Sequence, residues 1–311
     1  MDVTERAWRP ALGLLWEGAE RLLGRHAPRQ KRPLPLEAVT DDQAGYFTDD
    51  SMMRRVYRER AMALAGPRAL LMQAAHPLAV SGLLAHTEAL DEPYERLART
   101  AETMSTITFG SRADADRVTR RVRAMHRRVS GTLSKPVGNH AAGTPYRASD
   151  PEQLMWVLYS LVDSAMVVYR KYVGTLTRAA QAQFWDDYRV VGRLFGLRPP
   201  DMPATLSDFE DYGRRMLEGP DLHVSDWART RAREIVLEPP VPLALRPVVE
   251  AVNFITIALL PERIRREYGF RELPPAWARR VVVSGGAEYV KRAVIPVLPE
   301  RLRVVPAARA A

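Results

Sequence analysis

The sequence predicts an all-α protein whose main body is a single helical domain. Three observations predict it. Apolar residues recur at helical spacing along almost the whole chain. No run of alternating apolar and polar residues marks a sheet. Gly- and Pro-rich stretches separate the periodic segments. The 311 residues are 46% hydrophobic, enough to bury a sizeable core, which excludes wholesale disorder.

The elements follow in order. Residues 4–24 place Trp8, Leu12, Leu15, Trp16, Ala19, Leu22 and Leu23 near helical spacing, an amphipathic helix for packing on its own domain or lying on a membrane surface. Residues 25–49 are polar and Pro-rich and read as a linker or wrapping arm, so 1–49 form an N-terminal unit. A helix over 50–65 stops at Gly66-Pro67. Residues 68–86 (RALLMQAAHPLAVSGLLAH) are apolar nearly all round, as in a buried helix. Pro77 lacks an N–H and crowds the carbonyl of Gln73, so this helix kinks or splits there. Helices over 93–109 and 112–130 come next, then a long loop over 131–151. Asp150-Pro151-Glu152 starts a long helix reaching about residue 172. Further helices fall near 177–195, 205–218, 223–236, 242–260, 262–268 and 283–293. The body is assigned to 50–270 and a C-terminal extension to 271–311.

Composition narrows the chemistry. The chain has no cysteine, which excludes disulfides, thiolate metal sites, Fe–S clusters, cysteine nucleophiles and thioether-linked haem. A metal here must sit on His, Asp, Glu, Tyr or Met. The net charge is +9, but all except four of the 46 basic residues are arginine, a bias of composition more than a nucleic-acid footprint, and no nucleic-acid motif accompanies it. The N-terminus lacks a secretory signal, and no apolar stretch of about 18 residues is present, so a soluble, cytoplasmic protein is expected.

The informative residues are polar groups on apolar helix faces. In ADADRVTRRVRAMHRRVSG, Val118, Val122, Met125 and Val129 form the expected buried stripe and His126 points with it. An inward imidazole there ligates iron or bonds a backbone carbonyl. Arg96 and Thr100 share one helix face and suit an anionic oxygen, or are surface groups. His76 precedes the Pro77 break in the most apolar segment and needs a partner if buried, with His86 almost three turns on. Asp163, among Leu161, Val162 and Met166, is expected to pair with an arginine. His26, His140 and His223 fall in loops or at element ends and receive no role.

The order of RVYRERAMALAGPRALLMQAAHPLAVSGLLAHT, EPYERLARTAETM, FGSRADADRVTRRVRAMHRRVSG, GTPYRASDPEQLMWV and ALLPERIRREYGF resembles the family of the fungal mycophenolic-acid oxygenase and the bacterial rubber oxygenase, over roughly 50–270. The resemblance implies a globin-like helical domain that holds haem b and cleaves isoprenoid C=C bonds with O2. It maps the axial iron ligand to His126, and Arg96 and Thr100 to the haem edge, with His76 on the oxygen side. Ser130 and Arg99 depart from the rubber-oxygenase pattern, which has Arg and Lys at those places. The alternatives are a non-haem metal site drawn from His76, His86, His126 and Asp163 or Glu59, and a non-catalytic haem- or lipid-binding protein. A hydrophobic small molecule, with no nucleic acid, is the expected partner.

Overall fold

A computed structural model describes residues 44–85, 93–237, 246–270 and 275–310. The expected helix at 4–24 and most of the arm lie outside these residues, as does His86. The described chain is almost entirely helical, and the only extended elements among the described residues are two three-residue strands.

Helix α1 (Met52–Tyr57) is capped by the Ser51 side chain, which accepts from the Arg54 amide. A single 3₁₀ turn (Arg60–Leu64) leads into α2 (Ala65–Ala74), and α3 (Pro77–Ala85) follows after a break. The break is the one expected at Pro77. Then come α4 (Pro93–Phe109), α5 (Arg112–His126), strand β1 (Ser130–Thr132), strand β2 (Pro145–Arg147) and α6 (Pro151–Val168).

The centre of the core is α6. The Asp150 side chain accepts from the Glu152 amide and Pro151 sits at the first helical position, the start that the sequence signals. Its Met155, Trp156, Val162, Ala165 and Val168 are all buried. Helix α2 runs antiparallel against it. The Trp156 indole donates to the Met72 carbonyl at 3.0 Å, Gln73 to Ser160 at 3.0 Å, and Arg68 to Ser164 at 2.7 Å. Arg68 also pairs with Asp163 at 2.7 Å and donates to the Leu259 carbonyl at 2.8 Å, so the expected arginine partner of Asp163 is present. A π-helical turn (Tyr169–Val173) ends α6.

Helix α7 (Arg178–Phe195) covers α6 with Phe184, Trp185, Tyr188 and Val191, and ends on Gly196 at φ 105°, a left-handed cap that favours glycine. Helix α8 (Leu206–Glu218) opens with a reciprocal Thr205–Asp208 cap. Helices α9 (Asp226–Leu237), α10 (Arg246–Leu259) and α11 (Glu262–Glu267) complete the body. The C-terminal extension is a run of short helical turns that returns to α1. Arg303 donates to both oxygens of buried Glu59, and the Val305 amide donates to the Arg58 carbonyl at 2.8 Å.

Four expectations need correcting. The helix expected over 50–65 ends at Tyr57, and Gly66-Pro67 lie in the first turn of α2, where a proline is tolerated, rather than ending a helix. Residues 131–151 are not all loop: β1 and β2 pair antiparallel, with Gly131 opposite Tyr146. Helix α5 ends at His126, not 130. Its inward face is Ala115, Thr119, Val122 and His126, the expected 4-3-4 pattern shifted by three residues, while Met125 is 55% exposed. Small residues at 115 and 119 let α5 approach its neighbours closely, and the helix rolls onto that side.

Candidate functional site

Two places hold the residues singled out by the sequence. The first is the C-terminal turn of α5. His126 is the last residue of the helix and is half-buried. Arg121, Arg123, Arg127 and Arg128 flank it in sequence and are exposed, and no acidic residue occurs between 117 and 130 of the sequence. The turn is held against the body by Arg123, which lies over the cap glycine of α7, and by Val129, which touches Gly82 of α3.

Thr100 and Arg99 lie exposed on α4, and Arg96 belongs to the first turns of that helix, its side chain outside the described residues. Leu97 packs on Gly66 at the start of α2, and α4 packs along α5, the helix that ends at His126.

The second place is a cleft of about 870 Å³ where the break between α2 and α3 faces the β1–β2 loop, the start of α6, and α8. His76 forms part of its wall and is 6% exposed. Its ring neighbour is His140, with centroids 6.2 Å apart. Nδ1 of His76 and Nε2 of His140 are both buried without a hydrogen-bond partner. Burial, reinforced by His140, pushes the His76 imidazole down to about 4, so it is neutral at pH 7. Asp150, Glu152, Asp211 and Asp221 line the cleft, with Arg215 as its one arginine. Burial also raises the Tyr212 phenol above its ordinary range.

His140 carries no sequence signal, because it lies in a loop without periodicity. The tertiary fold brings it to His76. The His223 amide donates to the Ala75 carbonyl at 2.9 Å, and the Cβ of His223 crowds Gly138, which stands at φ 60° beside His140. His223 thus joins the helix break to the loop.

These two places differ in their fit to a haem. Haem b carries two propionates, and an imidazole is a common ligand to its iron. His126 offers the imidazole on an arginine-rich helix end, and the donor chemistry there fits. The His76 cleft presents carboxylates to those propionates and does not. The carboxylates expected for a non-haem site are already engaged, Asp163 by Arg68 and Glu59 by Arg303. Among the described residues no three His, Asp or Glu side chains converge into a metal cage.

Sequence comparison decides the family. The family described as "ER-bound oxygenase mpaB/B'/Rubber oxygenase, catalytic domain" matches residues 53–294. The chain belongs to this family. The match runs from α1 into the C-terminal turns. The chain is also similar to uncharacterized proteins of Mycobacterium bovis and Mycobacterium tuberculosis, at 27% identity over 178 residues. That match covers 56% of this chain and 65% of each relative's length. No solved structure matches. Among the described residues no helix is long and apolar enough to cross a membrane.

Proposed function

We propose that the protein is a haem b-dependent oxygenase, with a globin-like haem pocket, acting on a hydrophobic, unsaturated small molecule. The observation that carries this reading is His126: within a chain of the oxygenase family, it is a half-buried imidazole at the end of an arginine-rich helix. When bound, the haem supplies activation of O2 at its iron, chemistry that no side chain offers.

The protein's own residues do the rest. His126 would hold the iron through a neutral ring nitrogen. Arg127 and Arg128, on the exposed end of α5, would pair with propionate oxygens. Arg96 and Thr100, one turn apart on α4, would supply a second anion-binding edge. His76 takes no part in this reading, because its surroundings are the carboxylate-lined cleft.

The test is reconstitution of the purified protein with haem. A Soret band is expected with the wild type, and His126→Ala shifts or abolishes it while far-ultraviolet circular dichroism stays unchanged. A Soret band unaltered in His126→Ala overturns the assignment. O2 consumption with an isoprenoid substrate and a reductant then separates an oxygenase from a haem carrier.

A further inference from the structure

The histidine pair in the acidic cleft is outside this chemistry and has its own reason to exist. A buried polar atom without a partner is costly, and His76 and His140, neighbours on the wall of one cleft, each carry such a ring nitrogen. Nδ1 of His76 and Nε2 of His140 have no hydrogen-bond partner. His76 is fixed through its backbone: its amide donates to the Gln73 carbonyl at 3.1 Å, and its carbonyl accepts from the Val80 amide at 3.0 Å. His140 is fixed by reciprocal backbone bonds with Val137 at 3.0 and 3.1 Å. The imidazoles are therefore placed by the fold, each with one ring nitrogen unpartnered.

Their separation suits a shared cation. Metal–nitrogen bonds of about 2.0 Å put each ring centroid about 3.2 Å from the metal, so two imidazoles on one tetrahedral ion have centroids about 5.2 Å apart. The observed 6.2 Å corresponds to a wider angle at the metal, and an approach of about 1 Å closes it. The surrounding carboxylates supply the negative field, with Asp150 and Asp221 close enough to favour positive charge at His76. Imidazole donors select Zn²⁺, Cu²⁺, Ni²⁺ or Co²⁺ over Mg²⁺ and Ca²⁺.

We propose that His76 and His140 form an open, two-imidazole site for a divalent first-row transition-metal cation, its other positions filled by water under the carboxylates of the cleft. The site is separate from His126 and does not depend on haem binding.

The experiment uses the full-length, tag-free protein, stripped with chelator and desalted. Co²⁺ is titrated in while its visible d–d absorption is followed, and Zn²⁺ is then used to displace it. One equivalent per chain is expected. His76→Gln and His140→Gln should each weaken binding by about tenfold or more, and His126→Ala should leave it unchanged. His140 is half-buried in a largely exposed loop, so its variant tests the site even where His76→Gln fails to fold. The absence of Co²⁺ bands overturns the proposal. So does wild-type affinity in His140→Gln, which would mean the ion sits elsewhere.

Discussion

Lowering the pH should destabilise this protein through His76, by an amount set by its burial. In the unfolded chain the imidazole takes up a proton near pH 6.5, whereas in the fold it stays neutral down to about 4. Between those values the unfolded chain binds more protons, so stability falls as pH falls. The linkage relation gives a loss of about 1 kcal/mol between pH 7 and 5.5 and about 3 kcal/mol by pH 4. His140, Asp150 and Asp221 face the same ring, His140 deepening the shift and the two carboxylates opposing it. The assay is urea unfolding of wild type and His76→Gln at pH 7, 5.5 and 4, with chelator present to keep the cleft metal-free. Carboxylates elsewhere titrate in both proteins and cancel in the difference. The wild type should lose about 3 kcal/mol more than the variant across the range. Parallel stability curves would refute the argument, because they would mean that His76 takes up its proton in the folded state as readily as in the unfolded one.

Three other perturbations follow from the packing. Asp163→Asn leaves the Arg68 guanidinium buried against α6 without its counter-charge and should cost about 3 kcal/mol in denaturant unfolding. Gly213→Ala places a methyl group on the buried Tyr159 ring, which is wedged between Trp156 and Phe209, and should lower stability by about 1–3 kcal/mol, read as a fall in Tm. Glu59→Gln weakens the Arg303 clasp, so limited proteolysis should cut within 275–310 faster than in the wild type while the helical body persists; equal cutting rates would assign the anchoring to backbone bonds alone.

The helices that begin with a strong local signal were legible residue by residue. Asp150-Pro151-Glu152 starts α6, Pro77 separates α2 from α3, and the bounds of α7 and α8 fall where their threonine caps stand. The partner of Asp163 was legible as a class, since a carboxylate on an apolar face must find a cation. Which arginine answered was not, because Arg68 lies almost a hundred residues away. The inward face of α5 was misplaced by three residues, because large apolar side chains were weighed above the small Ala115 and Thr119 that permit close packing. His140 was passed over because a loop has no period, and a loop residue gains its neighbours only when β1 pairs with β2.

By itself, the sequence determined the helical class, the family and the absence of any thiolate chemistry, since these rest on local periodicity, on ordered motifs and on composition. Only the tertiary structure decided that His76 meets His140 under carboxylates and stands in a different setting from His126. The reason is that such meetings depend on contacts between segments remote in sequence. A helix break, a hairpin loop and a backbone bond from His223 must all form before the two imidazoles share one space.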